Sequence, residues 1–78
     1  MIMTQTNLRS LAAFVSKVMR EKSLSGYEVQ RLSDNTISQS YINRIKNGAI
    51  AAPSVLKLEA LARGLREPIS AVVEAAGL

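Results

Sequence analysis

The sequence predicts an all-α fold, a compact bundle of five short helices, and three observations point to it. Apolar residues recur at helical spacing in five separate segments, with start and stop residues around most of them. Leu, Val, Ile and Ala supply most of the 47% of residues that are hydrophobic, and only Phe14, Tyr27 and Tyr41 are aromatic. A sandwich or barrel would draw on more aromatic and β-branched side chains. There is no cysteine and no histidine, so no disulfide and none of the usual zinc ligand sets can staple the fold. The 78 residues therefore read as one domain held by apolar packing alone, with residues 1–6 as a loose tail.

The first helix is expected from Leu8 to Glu21. At about 100° per residue, Leu8, Leu11, Phe14, Val15, Val18 and Met19 fall on one side. Arg9, Lys17 and Arg20 cluster opposite, either as a solvated face or as a surface that helps hold phosphates. The second helix opens with Ser25-Gly26-Tyr27-Glu28, a capping box in which serine and glutamate satisfy each other's free amides. It runs to about Leu32, with Val29 and Leu32 turned inward. Ser33-Asp34-Asn35-Thr36 is a connection rich in turn formers, and Ile37 drops back into the core.

The third helix starts from Ser38 as its cap and ends near Asn47. Gly48 stands where a left-handed residue closes a helix. Residues 49–52 read as a loop, and either Ala52 or Ser54 caps the fourth helix. Val55, Leu58, Leu61, Ala62 and Leu65 line one face of that helix, and Gly64 weakens its end. Pro68 suits the first turn of a fifth helix. There Ile69, Val72, Val73 and Ala76 keep the apolar spacing, and Gly77 closes the helix.

Ten Lys and Arg against six Asp and Glu give a net charge of +4, the electrostatic footprint of a polyanion binder. No stretch approaches the roughly 20 apolar residues that cross a bilayer, and no signal-peptide pattern opens the chain. The expected location is cytoplasmic, away from membranes. Enzyme chemistry finds no support. His, Cys and a glycine-rich phosphate loop are absent, and Glu21, Glu28, Glu59, Glu67 and Glu74 form no evident pair. No cofactor or metal is expected.

The third helix carries the functional signal. Tyr41, Ile42 and Ile45 occupy one arc, and Gln39, Ser40, Asn43, Arg44, Lys46 and Asn47 occupy the other. No Asp or Glu occurs between Asp34 and Glu59, whereas Arg44, Lys46 and Lys57 do. A solvated face normally mixes both signs of charge, because opposite charges one turn apart stabilise it. Amides and hydroxyls can read base edges in a major groove, and cations neutralise phosphate. A capped short helix, a turn and a second short helix ending in glycine make a helix-turn-helix layout.

Residues 25–66 resemble the phage repressor/Cro, or Xre, type of helix-turn-helix. The resemblance rests on Ser25-x-x-Glu28-Val29 and on the run from Ile37 to Gly48, with its Ser38-x-Ser40-Tyr41-Ile42 and Ile45-x-x-Gly48. It continues through Pro53-Ser54 to Leu58, Leu61, Ala62 and Leu65. It implies a repressor-like five-helix DNA-binding domain whose third helix is the recognition helix. Gln39, Ser40 and Asn43 would then read bases. Ser38, Arg44, Lys46 and Asn47, with the amides of Gly26 and Tyr27, would meet phosphate.

Three departures stand out. The turn is about two residues longer than the common form. Gln30 stands where a small alanine usually lets the helices approach, and Lys46 replaces a frequent glutamate.

The expected function is a transcriptional regulator, a repressor that binds a pseudo-palindromic operator in double-stranded DNA as a homodimer. Two half-sites about 34 Å apart would be read by two symmetry-related helices. The dimer contact is expected from the carboxy-terminal helix. Ile69, Val72 and Val73 would fill the core, and Leu65, Ala71, Ala75 and Leu78 either supply the contact or complete the monomer. The alternative is an antitoxin or adaptor that uses the same fold to hold a toxin or another protein.

Overall fold

The computed structural model describes residues 7–50 and 53–77, with side chains from Leu11 onward. The tail at residues 1–6, the facing of Leu8 and Arg9, the loop residues Ala51 and Ala52, and Leu78 lie outside the described residues. Five helices follow one another: α1 (Asn7–Glu21), α2 (Gly26–Leu32), α3 (Gln39–Lys46), α4 (Val55–Leu65) and α5 (Ile69–Ala75). Among the described residues there is no strand, so the expected all-α bundle is the fold.

Three of the helices, α2, α3 and α4, begin where a serine side chain takes over an orphaned amide. Ser25 Oγ accepts from Glu28 N at 3.1 Å, and Glu28 Oε1 accepts from Ser25 N at 3.1 Å, which completes the expected capping box. Ser54, not Ala52, caps α4, its Oγ accepting from Lys57 N at 3.3 Å. Pro68 takes the cap position of α5 rather than its first turn, and its carbonyl accepts from Ala71 N at 3.0 Å.

Where the helices end, left-handed residues follow: Ser23 after α1, Asp34 and Asn35 after α2, Gly48 after α3, Arg66 after α4 and Gly77 after α5, all with positive φ. After α2, for example, Asn35 N donates to Gln30 O at 2.9 Å and Asp34 N to Arg31 O at 3.0 Å, the paired bonds of a Schellman turn. Only two of these positions hold glycine.

One core joins all five helices: α2 packs on α4, α1 on α3 and α5, α4 on α5, and α2 on α3. Its fully buried side chains include Leu11, Val15, Val29, Ile37, Ile42, Ile45, Leu58, Leu61, Leu65 and Val72. Ala60, which no apolar stripe assigned, is also buried.

Two expected core residues are not there. Val55 is 66% exposed and Ile69 is 42% exposed. Each is the first residue of its helix, where the Cα–Cβ bond leans back toward the amino-terminal end and off the core. Leu65, one of the candidate partner contacts, is fully buried in its own core and has no surface to offer a partner.

Gly64 also has a different role from the one its helix propensity suggests. A Cβ built there would lie 2.7 Å from both Val29 Cγ1 and Val29 O. The glycine is the gap through which α2 backbone approaches α4. Lys22 adds a further tie, its Nζ donating to Leu65 O at 2.9 Å and Arg66 O at 2.7 Å beside the Glu67 carboxylate at 2.7 Å. It thereby caps the negative end of α4.

Candidate nucleic-acid interface

The α2–turn–α3 unit presents a single polar face, set by how the turn is built. Ser33 closes α2 and is fully buried. Its Oγ donates to Gln30 O at 2.7 Å and accepts from Ile37 N at 3.1 Å. The hydroxyl thus replaces a backbone partner at the point where the chain must turn inward, and it carries Ile37 into the core. Turn preference alone places Ser33 with Asp34, Asn35 and Thr36 in the connection and does not mark it as buried. The one signal in the sequence is Ile37, an apolar residue four positions after Ser33 in an otherwise polar connection.

Ser38 then caps α3, Oγ accepting from Tyr41 N at 3.0 Å. The far end closes on Gly48 at φ +78°, with Ala49 N donating to Arg44 O at 2.8 Å and Gly48 N to Ile45 O at 2.9 Å. Between these limits the helix divides as expected. Ile42 and Ile45 have no exposed surface, and Tyr41 is half-buried. Gln39, Ser40, Asn43, Arg44, Lys46 and Asn47 are all exposed, as is the cap Ser38.

The start of α2 joins this face. A Cβ on Gly26 would sit 3.6 Å from Gln39 Cγ and 3.8 Å from its Oε1, so the Gln39 side chain runs beside the first turn of α2. Tyr27 is 61% exposed on that same turn. Gly26 and Gln39 are therefore neighbours across the two helices.

Two side chains behave differently from their sequence reading. Lys57 counted among the cations of the carboxylate-free stretch, yet it is bound into the fold. Its Nζ donates to Thr36 O at 3.0 Å and stands 5.1 Å from the centroid of the Tyr41 ring, a cation–π distance. Burial pushes the Tyr41 hydroxyl above the usual tyrosine pKa, and the Arg44 charge pulls partly back. The raised pKa widens the range over which the ring beneath Lys57 stays neutral. Gln30, in the place of a small residue, bridges the two helices. Its Oε1 accepts from Gln39 N at 3.0 Å and its Nε2 donates to Asn35 Oδ1 at 3.3 Å.

A helix-turn-helix family model matches residues 15–72, well over half of the chain. The chain belongs to the Xre-type helix-turn-helix family. The Xre-type protein is accordingly a DNA-binding transcriptional regulator. No curated protein and no solved structure matches it. The match begins within α1 and ends within α5, so it takes in the whole α2–α3 unit of this Xre-type protein. Among the described residues, no helix is long and apolar enough to cross a membrane.

Proposed function

We propose that this Xre-type protein is a repressor that binds a pseudo-palindromic operator as a homodimer, with the segment from Ser38 to Asn47 lying in the major groove. Gln39, Ser40 and Asn43 read base edges. Ser38, Arg44, Lys46, Asn47 and the amides of Gly26 and Tyr27 hold phosphate. The observation that carries this reading is the outward face of α3, where amides, hydroxyls and two cations are all exposed and no carboxylate stands among them. Glutamine and asparagine pair with the N6 and N7 edge of adenine. A carboxylate on that face would repel the phosphates on either side.

The homodimer contact is assigned to α5 and the adjoining side of α1. Ala13, Phe14, Ala71 and Ala75 line an apolar cleft there, flanked by Lys17 and Glu74. Ile69 adds exposed apolar surface on α5.

Selection of bound sequences from a random DNA pool at two salt concentrations tests the proposal. The expected product is an inverted repeat whose half-sites are one helical turn apart. Recovery of no consensus, or of a tight protein partner with no salt-sensitive DNA binding, contradicts it. On the selected duplex, Gln39→Ala costs about 1–3 kcal/mol and relaxes preference at one position. Arg44→Ala weakens all sequences alike and reduces the salt slope by about one. Titrations at several salt concentrations separate the two effects.

A further inference from the structure

We infer that Gln30 is a positioning residue for base reading, a side-chain tether that sets where the first residue of α3 stands against α2. The inference rests on the proposed reading of α3 and deepens it. The first amides of any helix lack intrahelical acceptors. In α3 the cap serine takes only Tyr41 N. The amide of Gln39, one position after the cap, is taken by Gln30 Oε1 at 3.0 Å, across nine residues of sequence and from a different helix. The other end of the same side-chain amide is also committed, Nε2 donating to Asn35 Oδ1 at 3.3 Å in the left-handed part of the turn. One planar group thus connects α2, the turn and the start of α3.

The long turn explains why such a tether matters here. Six residues, 33–38, separate α2 from α3, and a longer connection leaves more freedom in the angle and register of the second helix. Ile42 and Ile45 fix the middle and end of α3 through the core, but neither stands in the first turn. Gln39 begins the helix, and its side chain runs past Gly26. Its backbone is held by Gln30 on one side and by the helix on the other. Losing the tether would free the first turn to shift by a fraction of an ångström, enough to spoil a two-bond contact with a base while phosphate contacts adapt.

The test uses the full chain and the selected duplex, together with duplexes changed at the base pair that Gln39 reads. Gln30→Ala introduces a good helix former, so the fold is retained. Discrimination at that one base pair is expected to fall about tenfold, while binding to random DNA and its salt slope stay as in the wild type. Gln30→Glu keeps an oxygen acceptor for Gln39 N but gives up the donor to Asn35 Oδ1, so it restores the discrimination in part, and its charge lowers affinity for every duplex. In a double-mutant cycle the losses from Gln30→Ala and Gln39→Ala do not add. In the free protein, amide hydrogen exchange at Gln39 quickens in Gln30→Ala and is slowed again in Gln30→Glu, a readout independent of DNA. A Gln30→Ala protein as discriminating as the wild type overturns this inference alone. A wild-type protein with no sequence preference overturns the groove-reading proposal as well.

Discussion

Replacing Gly64 with alanine is expected to destabilise the protein by about 2–3 kcal/mol, although alanine is the best helix former. Intrinsic propensity alone favours the change by about 1 kcal/mol in a helix interior. The packing opposes it. The new methyl would meet Val29 Cγ1 and Val29 O, each at 2.7 Å. The Val29 side chain is fully buried among core neighbours, and the carbonyl belongs to α2 itself. The helices must separate, and overpacking of this kind costs about 1–3 kcal/mol and occasionally more. Because α2 carries both the turn and Gln30, a displaced α2 also shifts α3. Urea denaturation of Gly64→Ala reads the sign directly. A midpoint at or above that of the wild type would show that α2 and α4 are not in contact through this gap.

Ile42→Ala is expected to cost about 2–5 kcal/mol, the range for a fully buried truncation. Ile42 has no exposed surface and lies in the cluster with Leu11, Val15, Ile37 and Ile45. In a domain of this size that loss approaches the whole stability, so the variant is mostly unfolded at ambient temperature. Its neighbour Asn43 is exposed, and Asn43→Ala leaves the melting curve within about 0.5 kcal/mol of the wild type, as surface changes usually do. The pair of melts tests the facing of α3 without DNA. Equal melting curves for the two variants would place Ile42 outside the core.

The sequence revealed the helices well because their signals are local. Ser25 with Glu28, Ser38 with the Ile42 and Ile45 stripe, and Gly48 each state a boundary or a face within one or two turns. The division of α3 into a buried apolar arc and an exposed polar one followed from spacing alone. Long-range contacts were not legible in that way. Gly64 looked like a weak helix end because its close approach is to α2, far back in the chain. Gln30 looked like an obstacle because its partner Gln39 lies across the turn. Lys57 looked like a free cation because Thr36 and Tyr41 reach it from another element.

Helix ends were half legible for a related reason. Glycine advertises a left-handed residue at positions 48 and 77, whereas Ser23, Asp34 and Arg66 adopt the same backbone without glycine's freedom. Val55 and Ile69 fit an apolar stripe by angle, yet a stripe counts direction around the axis and not distance from a helix start.

Nuclear magnetic resonance of isotope-labelled protein on its selected duplex tests the central claim most directly. The side-chain amides of Gln39 and Asn43 should move strongly and show contacts to major-groove base protons, while the Ile42 and Ile45 methyls keep their free-state positions. If those amides are unmoved and the contacts to DNA come instead from Lys17 and Arg20 on α1, the proposed reading surface is the wrong one.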